Sequence, residues 1–272
     1  MPLGNNTVDL IVTSPPYWNI KDYGSNTQIG YNSTYEHYIE DLNIVWKECF
    51  RVLKEGCRLC VNVGDQFVRT NKDTPYHVKP IHSDIIDGCK DFDYLGCIIW
   101  QKLTTCNTSG GACIMGSYPY PPNGLIKMDF EYILIFRKSG KKETTKEIKE
   151  KSVLTKEEWL TYFTGHWNIK GERQKDHPAV FPLEIPYRLI KMFSYVGDLV
   201  LDPFAGSGTT AIAAIKNKRG YIMMEKEAKY VDLINKRIAD YTNQLTFDIF
   251  EEEPQGVQVE VKPQAFNLFE EE

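Results

Sequence analysis

The stretch GDLVLDPFAGSGTTAIAAI, residues 197–215, constrains this chain more than any other. An apolar strand runs to Asp202, a turn of small residues follows, and a helix opens near Thr209. Glycines at 206 and 208 let a ligand come close to the backbone. The first turn of a helix offers N–H groups that have no partner of their own. The next strand ends at Glu225, 19 positions after Gly206. An acid about 20 residues beyond a glycine turn is where a nucleotide-binding α/β unit holds ribose hydroxyls. Gly208 is followed by Thr209 rather than lysine, which argues against a phosphate-binding P-loop. Ala211 stands where the dinucleotide pattern has its third small residue, so the glycines alone leave NAD open. A plain tight turn is the bland alternative.

The surrounding pattern repeats this alternation. Strands are predicted at Val8–Thr13, Arg58–Gly64, Tyr94–Lys102, Glu131–Lys138, Leu199–Leu201 and Tyr221–Met224. Helices are predicted from Tyr35 to about Leu53, where Glu55-Gly56 ends the pattern, and from Ile81 to about Cys89. Three more are expected at Leu183–Tyr195, Thr209–Lys216 and Ala228 to about Tyr241. Strand and helix in turn imply an α/β fold: a Rossmann-like, mostly parallel sheet with helices on both faces. Residues 103–130 read as a long loop and 139–156 as a flexible charged linker.

The first strand runs into a second unusual stretch, TSPPYW at 13–18. Two prolines cannot continue a strand, and each fixes φ and removes a donor. The result is a rigid turn with a hydroxyl before it and two aromatic rings after it. On its own this could be a packing turn.

Together the two stretches resemble the catalytic and cofactor motifs of amino-group DNA methyltransferases, which use S-adenosylmethionine. TSPPYW precedes DPFAGSGTT, the order of the beta class, and HWNIKGERQKDHPAVFP at 166–182 is similar to the segment that leads into the cofactor motif. The resemblance spans roughly residues 8–241 and implies the class I methyltransferase fold, with a small irregular target-recognition region. It divides the chain into a catalytic part (1–138), a charged linker with target recognition (139–176), a cofactor-binding part (177–247) and an acidic tail (248–272).

The resemblance implies roles for particular residues. An aromatic amine is a poor nucleophile because its lone pair is delocalised into the ring. The Ser14 hydroxyl and the Pro15 carbonyl are suited to accept the two amino hydrogens and so localise that lone pair. Pro15 and Pro16 hold these acceptors still, which is where preorganisation gains rate. Tyr17 would stack on the target base. A base inside a duplex must first be flipped out, at a few kcal/mol. Asp202, with Pro203, Phe204, Ala205, Gly206, Ser207, Gly208 and Thr209, should hold the methionine part of the cofactor, and Glu225 the ribose. His177, Pro178, Phe181 and Pro182 should line the methionine side. Gly64-Asp65 lies at the pocket rim or is a plain turn. Family members usually carry a Gly-Asp-ended strand before the catalytic one, and here the seven residues before Val8 contain none.

Serine at the first motif position goes more often with cytosine N4, and aspartate with adenine N6. The expected activity is therefore cytosine-N4 methylation of double-stranded DNA. Adenine N6, an RNA substrate and a catalytically silent DNA-binding protein are the alternatives. Carbon-5 methylation needs a cysteine nucleophile, usually after proline, and no Pro-Cys pair occurs. A cognate restriction endonuclease is a possible partner.

Charge fits nucleic acid only by its distribution. The net charge is −5, yet residues 248–272 carry −7 of it, which leaves +2 on the rest. Eight bases against three acids between 137 and 156 could contact phosphates, as could Arg173, Gln174 and Lys175. The bland reading of that basic segment is a solvated charged loop. Cys57 and Cys60 form a CxxC pair with no second pair, so no metal is expected and the seven cysteines read as reduced, cytoplasmic thiols. Trp46 and Trp100 read as core. No membrane span or signal peptide is seen.

Overall fold

The computed structural model describes residues 1–18, 28–68, 75–102, 120–123, 126–171 and 182–248. Its centre is β1 (Val8–Thr13), buried along its whole length. β1 lies between β2 (Leu53–Val63) and β8 (Leu199–Asp202), parallel to both. Four more strands extend the sheet: β5 (Asp93–Lys102), β6 (Phe130–Arg137), β7 (His166–Ile169) and β9 (Gly220–Met223). The seven strands have the order β7-β5-β6-β2-β1-β8-β9. β6 runs antiparallel to both neighbours and every other pairing is parallel, so the expected mostly parallel sheet is present. A separate two-stranded ribbon joins β3 (Gln66–Val68) to β4 (His77–Lys79).

Alternation along the strands feeds two cores, one on each face. Val8, Ile11, Leu59, Val61, Leu134 and Phe136 face α1 (Tyr35–Val52) and α2 (Ile81–Gly88). Leu10, Val12, Cys60, Ile133, Trp100 and Val200 face α5 (Glu184–Phe193) and α6 (Thr209–Lys216). Cys57 belongs to the first core and Cys60 to the second, so the two thiols of the CxxC pair point to opposite faces of the sheet. Burial pushes the Cys57 thiol up to about 11. Trp46 and Trp100 are both core residues, as their apolar settings implied. α7 (Ala228–Asp248) closes the second half.

Two expectations about the chain's course are corrected. Glu55-Gly56 does not follow a helix end with a loop. The Thr34 hydroxyl caps α1 at its start, and Leu53 turns straight into extended backbone, so strand begins where helix stops. Gly56 sits within β2 at φ +74°, and a Cβ there would collide with the backbone of Lys141 and Lys142. Its lack of a side chain admits another segment rather than ending a helix. Nor is 139–156 a featureless linker. It carries α3 (Lys146–Lys151) and the start of α4 (Lys156–Tyr162), each capped by a threonine, with a full capping box at Thr155 and Glu158. Lys142 forms ion pairs with Asp9 (2.9 Å) and Asp198, and Lys138 donates to Asn6 and to the carbonyls of Phe50 and Leu53. Two of the bases considered for phosphate contacts are therefore committed within the fold. Asp9 is four residues before Thr13, so Lys142 lies about 13 Å from the turn that follows β1.

Candidate active site

β1 and β8 are neighbours in register, so their ends meet at one edge of the sheet. There the two sequence landmarks touch. Thr13 Oγ1 donates to Asp202 Oδ1 at 2.7 Å across 189 positions of chain. Thr210 Oγ1 donates to Asp202 Oδ2 at 2.6 Å, and the Phe204 N–H donates to Oδ1 at 3.0 Å. Asp202 is 1 % exposed, and burial raises its pKa to about 6 against the pull of these three hydrogen bonds. The carboxylate ties the end of β1, the turn and the first residues of α6 together.

The turn has the backbone its glycines allow. Gly206 (φ 52°) and Gly208 (φ 77°) are both left-handed, and Gly208 caps α6. Glu225 Oε2 accepts from the Gly206 N–H at 2.8 Å, and Oε1 accepts from the Glu227 N–H at 3.0 Å. Burial raises the Glu225 pKa, and hydrogen bonds from Glu227, Gly206 and Lys226 N–H groups oppose it. Pro203, Ala205, Ser207 and Thr209 are buried within the turn, while Phe204 is half-buried and meets Trp46 edge-on at 6.4 Å. Left-handed glycines, a helix N-terminus and a half-buried acid fit a nucleoside with an adjoining charged group.

On the other side of the same edge, Ser14, Pro16 and Tyr17 are partly exposed and Pro15 is buried. The Pro16 carbonyl accepts from the Tyr38 phenol at 2.8 Å, which ties the proline turn to α1. Trp18 holds a left-handed φ of 35°, with its indole N–H on the Ser33 carbonyl at 3.1 Å and its ring edge-on to Tyr35.

Sequence reasoning missed three residues here. Tyr17 Oη donates to Glu131 Oε2 at 2.9 Å, Asn62 Nδ2 donates to the same oxygen at 2.7 Å, and Lys102 pairs with Oε1. Lys102, Glu131 and Asn62 stand on β5, β6 and β2, and Ser14 directly follows the adjacent β1, all in line with the apolar rows of the second core. The signal was present in the pattern: each of the three is a polar residue two positions along from a core residue of the same face, Trp100, Ile133 and Cys60. Gly64 adjoins this group, since a Cβ there would meet Glu131 Cγ at 3.1 Å. Asp65 turns instead to His82, accepting from its N–H at 3.1 Å and contacting Nδ1 at 2.7 Å. His177, Pro178 and Phe181, with Arg173, Gln174 and Lys175, lie outside the described residues, as does most of the 103–130 loop. Pro182 is buried at the entry to α5.

Comparison with known proteins agrees with this geometry. Residues 8–236 match the model of the DNA methylase family. The type II methyltransferase M.MjaI of Methanocaldococcus jannaschii is 35% identical over 86% of this chain and 86% of its own length. M.MthZI of Methanothermobacter thermautotrophicus is 35% identical over 87% of this chain and 72% of its own. A putative DNA modification methylase of Thermus thermophilus, solved with S-adenosyl-L-methionine, superposes with TM-score 0.73 at 39% identity over 88% of both chains. The cytosine-N4-specific PvuII methyltransferase shares the fold, with TM-score 0.63 at 20% identity over 90% of this chain and 87% of its own. The chain therefore belongs to the DNA methylases, the S-adenosylmethionine-dependent enzymes that methylate an exocyclic amino group of a base in DNA.

Proposed function

We propose that this chain is a site-specific DNA methyltransferase acting on the N4 amino group of cytosine flipped out of the duplex. The observation that carries the reading is Ser14 at the edge where the Thr13–Asp202 bond brings the two motifs together. When bound, S-adenosylmethionine supplies the electrophilic methyl group. The Ser14 hydroxyl and the Pro15 carbonyl accept the two amino hydrogens and restore a localised lone pair on nitrogen. Tyr38 secures the Pro16 carbonyl, so the turn cannot rock as the base enters. The Tyr17 ring offers a face on which the base stacks. Asp202 and the backbone from Phe204 to Gly208 hold the methionine end of the cofactor, and Glu225 takes the ribose hydroxyls. His177, Pro178 and Phe181 complete the methionine side.

Two relatives are named type II methyltransferases, which supports a restriction endonuclease as the partner of this chain. Adenine N6 is the second reading, since its amine presents the same chemistry to Ser14 and Pro15. The test is incubation with methyl-labelled S-adenosylmethionine and duplex DNA or RNA, followed by digestion to nucleosides. N4-methylcytosine from DNA is expected. N6-methyladenine would overturn the base, and label only in RNA would overturn the substrate.

A further inference from the structure

The Ser14 hydroxyl stands at the end of a chain of hydrogen bonds whose direction can be worked out. Ser14 Oγ and Tyr17 Oη are 3.4 Å apart, and distance alone leaves open which one donates. A phenol has one proton, and that of Tyr17 points to Glu131 Oε2 at 2.9 Å. Asn62 Nδ2 donates to the same carboxylate oxygen at 2.7 Å and approaches the phenol oxygen at 3.3 Å, which fits a phenol that accepts on that side. Lys102 grips the other oxygen of Glu131, and the carboxylate of an ion pair is an acceptor only. The phenol therefore faces Ser14 with lone pairs. The Ser14 proton is the one that can bridge the gap, and the serine lone pairs are left for the target.

We propose that Glu131 is a positioning residue for methyl transfer: acting through Tyr17, it fixes the polarity of the Ser14 hydroxyl so that serine only accepts from the target amine. This rests on the proposed role of Ser14. A serine hydroxyl that rotates freely can also donate to the amine nitrogen, and that bond would occupy the lone pair that has to attack carbon. Asn62 and Lys102 hold Glu131 in place, and their row of strand ends sets its height in the sheet.

The test compares Tyr17→Phe, Glu131→Gln and the double variant in the full-length enzyme, with duplex DNA and labelled S-adenosylmethionine. Tyr17→Phe keeps the stacking ring and removes only the phenol oxygen. Each single variant should lose about 10- to 100-fold in kcat, with KM for DNA and Kd for the cofactor within about twofold of wild type. The double variant should lose no more than the worse single, because both changes break one chain. Wild-type kcat in either single variant, or losses that multiply in the double, would overturn the proposal. A purely structural role would move affinity and melting temperature along with kcat, and that result also overturns it. If Glu131→Gln does not fold, the pair Ser14→Ala and Tyr17→Phe decides: loss of the phenol should be silent once Ser14 is alanine, and a further loss sinks the idea. Ser14→Ala also separates the two levels of the argument. Full turnover there refutes the role of Ser14 itself, whereas an impaired Ser14→Ala beside a fully active Glu131→Gln refutes only the role of Glu131.

Discussion

The Thr13 hydroxyl lies 2.7 Å from the Asp202 carboxylate, and this single bond joins the end of β1 to the start of the turn between β8 and α6. Asp202 is buried and accepts from three donors, two of them threonine hydroxyls. Taking one donor away leaves the carboxylate under-solvated in a place water does not reach.

Thr13→Val keeps the shape of the side chain and removes its donor. It should destabilise the fold by about 1–3 kcal/mol in denaturant unfolding. Cofactor affinity, measured by calorimetry, should fall as well, because the turn after Asp202 loses its tie to β1. An unchanged unfolding midpoint would mean that Thr13 contributes shape alone.

Asp202 also makes stability depend on pH. Its folded pKa is about 6 against an ordinary 3.8, so the folded state binds the proton more tightly than the unfolded one. Stability from this group is thus greatest at low pH and is lost as pH rises from about 4 through about 6. Asp202→Asn has no such titration. The stability difference, variant minus wild type, should therefore shift in the variant's favour by on the order of 2–3 kcal/mol between about pH 4 and pH 7. Urea unfolding of both proteins at the two pH values measures it. The constant cost of replacing a carboxylate oxygen with an amide cancels in the comparison.

Much of the candidate site's layout was legible because its signals are local. The turn at Gly206 and Gly208 follows from its glycines, Glu225 stands beside that turn as its spacing implied, and the bend at Ser14-Pro15-Pro16-Tyr17 follows from the stiffness of paired prolines. Glu131, Asn62 and Lys102 were not found, because their meaning depends on strand order. β6 is far along the chain from β1, yet only β2 separates them in the sheet. A polar residue in an apolar strand looks like a defect until its neighbours are known. Lys138 and Lys142 of the basic segment could not be assigned from the sequence for the complementary reason. Composition shows that lysines are clustered but not which acids they meet, and Asp9 and Asp198 come from distant parts of the chain. α3 and α4 are short helices whose caps, Thr145 and Thr155, were hidden in a run of charge.

Lys142 gives a direct test of that correction. Burial raises the Asp9 carboxyl pKa, but hydrogen bonds from Lys54 and Lys142 and from the Leu199 N–H outweigh it and leave the net shift downward. Lys142→Met strands Asp9 and Asp198 beside each other with less compensation. It should cost about 3–5 kcal/mol of stability. The salt dependence of DNA binding should not change, since this lysine neutralises carboxylates rather than phosphates. A shallower salt slope with normal stability would return Lys142 to the DNA interface.

Gly208 separates backbone strain from crowding. Its φ of +77° is unfavourable for any side chain, and a Cβ would also meet Ile234 at 3.1 Å. Gly208→Ala should destabilise the protein by about 1–2 kcal/mol from the backbone alone, with more from the contact. In an Ile234→Ala background, which removes both contacting γ carbons, Gly208→Ala should still carry the backbone cost and lose only the crowding part. If Gly208→Ala costs nothing in that background, the left-handed backbone at position 208 is not what requires glycine. If it still costs stability there and still lowers cofactor affinity, the turn's conformation, rather than its packing on α7, is what matters at this position.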